Sequence, residues 1–191
     1  MRNRVKARTL QESREQGLAA YDDGKLALAA EKLGYYHATR NDDPDVAYKL
    51  ADASMRLPSQ GSEGLRSAVL FAKRAVDLAP TRTEPLELLV EIHGLLNQQT
   101  ERLDAASKLL ELDPQNTIAL DAKAKSLVAL GRRDEALEAA YQLTAITPDD
   151  PEGHRLVFAI LGTEEPTIGR IKMAEYVEKP ATPTNPTCSA S

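Results

Sequence analysis

The sequence predicts an all-α protein assembled from helical repeats, on the evidence of one spacing and two features of composition. Pro80, Pro114 and Pro148 follow one another at intervals of 34 residues, and each ends a similar, largely apolar run. A constant period of this length is typical of arrays of helix-turn-helix repeats. Aromatic residues make up only 4% of the chain, so the core must be built mainly from Leu, Ala, Val and Ile. Ala and Leu are strong helix formers, and no segment alternates apolar and polar residues over the length of a strand.

Charge and cysteine content restrict the class of function. The chain has a net charge of −5, yet residues 1–14 are basic, so the remainder is strongly acidic. An acidic body disfavours nucleic acid as the main ligand, because phosphate binding needs a basic surface. Cys188 is the only cysteine, which excludes an internal disulfide. No apolar run approaches the ~18–20 residues of a membrane span and no signal peptide opens the sequence, so we expect a cytoplasmic protein, membrane-associated only if the chain is a fragment of an anchored protein.

The segment before the first repeat, residues 1–9, is basic and is predicted to extend the first helix. A solvent-exposed helical extension is the simplest interpretation of Arg2, Arg4, Lys6 and Arg8. The flank of a missing membrane anchor is one alternative, because positive charge collects on the cytoplasmic side of spans. An arm that contacts lipid or nucleic acid is the other.

The first repeat is predicted at residues 10–43. Gly17, Ala20, Ala29 and Leu33 place small and apolar residues at helical spacing, and Gly24 provides the turn between two helices. The helices are therefore expected to approach each other closely in this repeat.

The second repeat, residues 44–82, is longer than the others because of a segment at 57–64 that is rich in turn-forming residues. We predict a surface loop there, which is either neutral variation or a contact for a partner. The repeat begins at Pro44, directly after Asp42 and Asp43. We interpret these carboxylates as charges that stabilise the N-terminal end of a helix rather than as an acid-base pair.

The third repeat, residues 83–116, departs from the pattern of the others at two positions. Arg102 stands where a small residue is expected, which predicts either looser helix packing or a shift of the packing by one residue onto Leu103. Asn97 stands at the position of the turn glycine. His93 falls on the inner face of the first helix, where a packed and hydrogen-bonded histidine is a better interpretation than a metal ligand.

The fourth repeat, residues 117–150, is the most regular one. Its apolar, small, turn and closing residues are Leu120, Ala124, Leu127, Gly131, Ala136 and Pro148. Residues of these types at these positions resemble the tetratricopeptide repeat pattern, and the resemblance covers residues 10–162. Lys123 departs from it, because the family usually has leucine there. The resemblance implies a right-handed α-solenoid of about four helix-turn-helix repeats plus a C-terminal capping helix.

The C-terminal part is predicted to close the array. Residues 151–162 form the capping helix, with Val157, Phe158 and Leu161 as its apolar contacts. Residues 163–178 could add a short helix. Residues 179–191 are rich in Pro, Thr and Ser without apolar periodicity, so we expect a disordered tail there.

The resemblance also implies a concave groove lined by the first helices of the repeats. Asp45, Arg56, Val128 and Glu152 fall on this groove face, and beside them stand the candidate peptide-binding residues. These candidates are Arg14, Leu18, Tyr21, Tyr48, Asp52, Met55, Glu84, Glu87, Glu91, Asp121, Lys125 and Arg155.

Three of the candidates form an acidic stripe. Glu84, Glu87 and Glu91 lie three and four residues apart, on one side of one predicted helix, where nothing in the stripe neutralises them. A merely solvated acidic surface is one interpretation. The other is a groove that attracts a basic or amphipathic peptide, with neighbouring Tyr and Met side chains as apolar contacts.

These observations predict a non-catalytic scaffold that binds a protein or peptide partner through the groove. One alternative is a self-associating module, in which either the exposed end of the stack or Val157, Phe158 and Leu161 pack on a second copy. The other is a soluble accessory domain of a larger membrane-anchored or enzymatic complex. The sequence has none of the spaced metal, nucleotide or nucleophile motifs of enzymes, so we expect no catalysis and no cofactor, and we interpret Cys188 as an inert thiol.

Overall fold

The computed structural model describes residues 2–57, 61–162 and 166–178, which form ten helices and no strand. The all-α prediction and the helix-turn-helix organisation are therefore confirmed. The predicted loop at 57–64 was wrong in part, because residues 61–64 already belong to a helix; residues 58–60 and the predicted tail at 179–191 lie outside the described residues. The helices are α1 (Arg2–Asp22), α2 (Leu26–His37), α3 (Pro44–Arg56), α4 (Gly61–Leu78), α5 (Glu84–Leu95), α6 (Gln99–Leu112), α7 (Thr117–Ala129), α8 (Arg133–Ile146), α9 (Pro151–Leu161) and α10 (Pro166–Glu178).

The chain divides into two compact units, and the first comprises Met1–Gln98 with helices α1 to α5. Each helix packs against the next one. In addition, α1 contacts α3, and α3 contacts α5. This is the contact pattern of stacked helix-turn-helix repeats. One cluster of the core in this unit consists of Leu10, Leu33, Tyr36, Val46 and Leu50.

Close helix approach in the first unit depends on small residues. A Cβ atom added to Gly17 of α1 would lie 2.6 Å from Cδ2 of Leu33 in α2, far inside van der Waals contact. Ala68, Ala72 and Ala75 are fully buried along one side of α4. The small residues that the sequence places at helical spacing therefore mark the packed faces of the helices.

The second unit comprises Gln99–Ser191 and contains α6 to α10. Here too each helix packs against the next, and α7 also touches α9. Leu103 of α6 belongs to the core, whereas Arg102 is only half-buried, so the predicted shift of packing by one residue is confirmed. The boundary between the units falls inside the third predicted repeat, which contributes α5 to one unit and α6 to the other.

The turns between paired helices use left-handed backbone conformations. Gly24 and Gly131 have φ angles of 75° and 76° at equivalent positions of the first and fourth repeats. Asn97, which replaces the expected glycine in the third repeat, has a φ of 55°. Asn tolerates this region better than other non-glycine residues, so the substitution preserves the turn.

Side-chain caps fix where α3, α7 and α9 begin. Asp43 Oδ1 accepts hydrogen bonds from the backbone N–H groups of Asp45 and Val46, at 3.1 and 3.2 Å, so its predicted role at a helix terminus is confirmed. Asn116 caps α7 and Asp150 caps α9 in the same way. These caps satisfy backbone donors that would otherwise have no partner within the helix.

Candidate partner-binding surfaces

The candidate groove residues fall on every second helix, nine in the first unit and three in the second. We call the sides of α1, α3 and α5 that carry the nine residues the N-terminal face. We call the sides of α7 and α9 that carry Asp121, Lys125 and Arg155 the C-terminal face. Each face belongs to one unit and is described separately.

Ion pairs join α1 to α3 across the N-terminal face. Arg14 Nε lies 2.6 Å from Asp43 Oδ2, with both side chains largely buried. Lys49 Nζ lies 2.6 Å from Asp22 Oδ1 and also 4.9 Å from the centre of the Tyr21 ring, within the range of a cation–π contact. Arg14 and Lys49 are therefore already used to hold the two helices together.

Asp52 is the centre of a second link between α1 and α3. Its Oδ2 accepts a hydrogen bond from the Tyr21 hydroxyl at 2.7 Å and another from Arg56 at 3.1 Å. Burial raises the pKa of the Tyr21 hydroxyl, and the hydrogen bond to Asp52 raises it further. Because the Asp52 side chain is only 13% exposed, it acts to position Tyr21 and Arg56 and offers little surface of its own.

Arg82, in the segment before α5, connects α3 to α5. Its guanidinium lies 2.6 Å from Asp45 Oδ1, 3.4 Å from Glu84 Oε1 and 5.8 Å from the centre of the Tyr48 ring. The pKa of the Glu84 carboxyl is lowered by a hydrogen bond from the backbone N–H of Glu84 itself and by the contact with Arg82. The cation that neutralises Glu84 therefore comes from the loop before α5 and not from the stripe itself, a contact that the sequence analysis did not anticipate.

The remainder of the stripe makes the N-terminal face acidic. Burial raises the pKa of the Tyr48 hydroxyl, and the negative charges of Asp52, Glu84 and Glu87 raise it further, so the field at this position is anionic. Glu91 is exposed one turn beyond Glu87. With Asp43 and Arg82 from the segments before α3 and α5 included in this face, its charged side chains include four cations, Arg14, Lys49, Arg56 and Arg82, and seven carboxylates, Asp22, Asp43, Asp45, Asp52, Glu84, Glu87 and Glu91.

Apolar residues on the N-terminal face differ in exposure. Leu18 packs against the core cluster of its unit, and Met55 is half-buried, so neither is a free contact. Leu95, the last residue of α5, is 61% exposed and continues the stripe of Glu84, Glu87 and Glu91. Sequence reasoning missed Leu95, although its position in the third repeat is one of those expected to face the groove.

The C-terminal face is balanced in charge. Lys125 Nζ lies 2.7 Å from Asp121 Oδ1 and 3.0 Å from Glu152 Oε1, and Arg155 also pairs with Glu152. The hydrogen bonds from Lys125 and then Arg155 lower the pKa of Glu152. Two cations thus meet two carboxylates in a network that links α7 to α9.

Two apolar side chains accompany this network. Ile118 is 53% exposed at the start of α7 and Val128 is 40% exposed near its end. Ile118 was missed as a groove residue. It could have been predicted because it is the second residue of its repeat, the position that Glu84 occupies in the third repeat. The C-terminal face therefore combines a neutral ion-pair network with exposed aliphatic groups.

The predicted self-association surface on α9 is mostly occupied within the chain. Val157 and Leu161 are fully buried, which leaves only Phe158 partly exposed. Tyr176 of α10 stacks on Tyr141 with ring centres 5.5 Å apart and meets Phe158 edge-on at 5.6 Å. Val157 and Leu161 pack in the core of their unit, as expected of a capping helix, so of these three residues only Phe158 is left exposed to a second copy.

The histidines lie apart from both faces. His93 is buried with its Nδ1 2.7 Å from Gln98 Oε1, which confirms the predicted packed histidine. His37 packs edge-on against Phe71, and burial followed by the charge of Arg74 lowers its pKa. His154 lies 2.5 Å from the Tyr176 hydroxyl through Nδ1 and 2.9 Å from the Pro148 carbonyl through Nε2.

Over residues 2–57, 61–162 and 166–178, no group of three or more His, Cys, Asp or Glu side chains is arranged to hold a metal ion. Within the same residues no helix is both long and apolar enough to cross a membrane. Cys188 lies outside the part of the chain that the structure describes.

The sequence matches no family model and no curated protein. Its fold is similar to solved structures of MamA. One crystal structure of MamA protein aligns with a TM-score of 0.73 at 17% identity, over 90% of this chain and 88% of that one. MamA AMB-1 aligns at 0.70 and 20% identity over 91% and 93%, and a double mutant of MamA RS-1 at 0.71 and 13% identity over 89% and 93%. At these identities the similarity shows the fold alone.

Proposed function

We propose that this protein is a non-catalytic binding scaffold whose N-terminal face takes a basic segment of a partner protein. The observation that carries the proposal is the distribution of charge on that face. Each of its four cations is engaged by a carboxylate of the face, yet the carboxylates outnumber the cations by three. The excess is carried on and beside α5.

The cations of the chain itself indicate what this surface accepts. Lys49 is held by a carboxylate and the ring of Tyr21, and Arg82 is held by two carboxylates beside the ring of Tyr48. Carboxylates next to an aromatic face bind ammonium and guanidinium groups through charge and cation–π attraction. A lysine or arginine of a partner would meet carboxylates at Glu87 and Glu91, and Glu87 is close enough to Tyr48 to raise the pKa of its hydroxyl.

Charge complementarity of this kind acts mainly on specificity and on the association rate. An acidic face attracts basic segments over roughly a Debye length, about 8 Å at physiological ionic strength, and disfavours acidic ones. Binding to the N-terminal face should therefore weaken as salt is raised. The helical repeat fold supports the proposal because it presents such a face on stacked helices; the choice of a basic partner rests on the charges of the face alone.

The proposal is tested by affinity capture from the source organism's lysate with a matched pair of variants. Glu87→Lys with Glu91→Lys reverses two charges on α5, and Glu101→Lys with Glu111→Lys makes the same change on exposed residues of α6. We expect a captured protein that the wild type and the α6 variant retain and the α5 variant loses. Direct titration of that protein should then give roughly a tenfold or larger loss of affinity for the α5 variant.

Circular dichroism is the control for folding, since both double variants should keep the helical content of the wild type. Equal capture by all three proteins would contradict the proposal, because the acidic excess on α5 would then have no part in binding.

A further inference from the structure

A cleft in the first unit, lined by residues of α2, α3 and α4, lies outside the two faces described above. Its volume is about 430 Å³, within the range of about 300–1,000 Å³ that is usual for ligand-binding pockets. None of the candidate peptide-binding residues lines it. We call it the α2–α4 cleft, and the apolar part of its lining consists of Ala27, Ala30, Gly34, Leu50, Leu57 and Phe71.

Gly34 keeps this cleft open. A glycine inside a helix lowers stability relative to alanine, so its presence asks for a structural reason. The close approach of a neighbouring helix gives that reason for Gly17 and Gly153. A Cβ atom added to Gly34 would meet nothing within 4 Å, and its backbone is not left-handed, so neither packing nor a turn accounts for this glycine among the described residues. An occupant of the cleft accounts for it, because a larger side chain would take up the space.

Ser54 of α3 adds a polar group to the cleft. The residue is only 4% exposed and lines the cleft, and its hydroxyl forms no hydrogen bond with residues 2–57, 61–162 or 166–178. The hydroxyl of Ser107, by contrast, donates to the backbone carbonyl of Leu103 one turn earlier. A buried hydroxyl without a protein partner bonds to water or to a ligand. Ser54 therefore offers an occupant a hydrogen bond inside an apolar cleft.

The charge at the cleft is negative. Glu31 is the one ionised side chain among the described residues that line it, and Lys32 Nζ lies 3.0 Å from Glu31 Oε1. The Glu31 side chain is 68% exposed, and a pair so exposed contributes little, so another cation can replace Lys32 at small cost. The cleft thus complements an apolar group that is accompanied by a positive charge.

Exposed apolar side chains continue the surface beyond the cleft. Leu28, Tyr35 and Leu70 are 41%, 50% and 69% exposed, and each is next in sequence to a residue that lines the cleft. A small molecule that filled about 430 Å³ would leave these side chains in solvent, whereas a polypeptide segment can cover them as well. The occupant indicated is a segment of another protein.

We propose that the α2–α4 cleft binds a segment of a partner protein through one large apolar side chain and one adjacent cation. The apolar side chain lies beside Gly34 and Phe71, and a lysine or arginine lies against Glu31. A backbone group of the segment bonds to the Ser54 hydroxyl. This surface is independent of the acidic N-terminal face, so one chain can hold two partner segments.

The test uses tryptophan fluorescence, because the chain has no Trp and a peptide probe is observed alone. Two blocked peptides of about six residues extend over ~20 Å, past both ends of a cleft that covers about 10 Å of α2. Each carries one Trp, and the residue beside it is Lys in one peptide and Gln in the other. Both are titrated into the full chain and into Gly34→Leu, Ser54→Ala and Glu31→Gln. Gln142→Leu, which adds an exposed leucine to α8, is the control.

We expect the emission of the lysine peptide to move to shorter wavelength on binding. Gly34→Leu should weaken both peptides roughly tenfold or more, because its side chain occupies the cleft. Glu31→Gln should weaken the lysine peptide about two- to fivefold and leave the glutamine peptide unchanged. Ser54→Ala should weaken both about two- to tenfold, and Gln142→Leu should change neither.

Thermal unfolding separates a filled cleft from a damaged fold. Gly34→Leu should melt at or above the temperature of the wild type, since leucine favours a helix and its Cβ meets no neighbour. A lower melting temperature would show that the cleft is not open as described. Equal binding by the wild type, Gly34→Leu and Glu31→Gln, or no binding of either peptide at millimolar concentration, would overturn the proposal.

Two further measurements address the rival occupants. Tryptamine carries an indole and an ammonium group without a peptide, and if it bound as tightly as the lysine peptide, the cleft would be a small-molecule site and the proposal would fail. Self-association in light scattering that Gly34→Leu abolishes would assign the cleft to a second copy, which also overturns it.

The variant with Glu87→Lys and Glu91→Lys distinguishes this proposal from that for the N-terminal face. It should bind both peptides as the wild type does, because no residue of α5 lines the cleft. Binding that this variant loses and Gly34→Leu retains would support the N-terminal face and contradict the cleft.

Discussion

The two faces are built on helices of the same kind and differ in the net charge of their side chains. On the N-terminal face, four cations meet seven carboxylates, so ion pairing between α1, α3 and α5 leaves negative charge on and beside α5. On the C-terminal face, Lys125 and Arg155 meet Asp121 and Glu152 in equal number. Repeat architecture therefore sets where a surface is presented, and a few residues at repeat positions set its chemistry.

Each face rests on the packed core of its own unit, and substitutions at the buried alanines of these cores should have the largest effects. Ala29 of α2 and Ala136 of α8 occupy the same position of the first and fourth repeats, and both are fully buried. Replacing either one with Arg should cost about 3 kcal/mol or more, since the core must take up volume and a buried charge. Urea unfolding followed by circular dichroism measures the cost.

The exposed Ala27→Arg is the control and should change the free energy of unfolding by less than about 0.5 kcal/mol. A fully stable Ala136→Arg variant would mean that the register of the fourth repeat is wrong.

Glycines at close helix contacts provide the next largest effect. At Gly17 a Cβ would lie 2.6 Å from Leu33 Cδ2, and at Gly153 it would lie 2.8 Å from Thr144 Cγ2. We expect Gly17→Ala and Gly153→Ala each to destabilise the protein by about 1–3 kcal/mol. Gly34, where nothing lies within 4 Å, is the control: Gly34→Ala should stabilise by about 0.5–1 kcal/mol.

Thermal unfolding separates the three glycine variants. If Gly17→Ala and Gly34→Ala shift the melting temperature in the same direction, the close approach of α1 and α2 is not as described.

Turn residues should give effects of about 1 kcal/mol. Gly131→Ala places a side chain on a backbone with a φ of 76° and should destabilise by roughly 1–2 kcal/mol. Asn97→Gly, at a φ of 55°, should be close to neutral because glycine accepts the same conformation. Chemical denaturation of the two variants measures the change in the free energy of unfolding. A loss larger than predicted for Asn97→Gly would show that the Asn97 side chain itself stabilises the turn.

The smallest expected effect is a pH dependence confined to the first unit. Burial and Arg74 lower the pKa of His37 below its ordinary value of 6.5. The unfolded chain then binds the proton more readily, so the stability that is present above about pH 6.5 is progressively lost below it. His37→Phe should reduce the decrease in unfolding free energy between about pH 7.5 and 5.5. Equal decreases in the variant and the wild type would contradict the assignment.

Local signals in the sequence were sufficient for most of the helices, although the start of α4 at Gly61 was missed. Asp43 before Pro44 predicts a capped helix start, and Gly24 and Gly131 predict turns, because these residues act on backbone groups within a few residues. The small residues at Gly17 and Ala136 predict close packing, since only small side chains allow it.

Contacts between helices that are distant in sequence could not be predicted in the same way. The partners of Glu84 were missed because Arg82 lies in the preceding loop and reaches Asp45 only once α3 and α5 are stacked. Phe158 was expected to cover the end of the array, but its surroundings depend on Tyr176, which belongs to a helix with a weak sequence signal. Leu95 and Ile118, by contrast, stand at groove positions of their repeats and could have been found by applying the repeat register to every position.

The account is tested most directly by mapping a basic ligand onto the folded chain. Amide chemical shifts of the isotope-labelled protein would be followed while a lysine- and arginine-rich peptide is added, first at low salt and then at high salt. The account predicts shifts in α1, α3 and α5 that diminish with salt, and few or none in α7 and α9. Shifts confined to α7 and α9, or spread evenly over both faces, would contradict it.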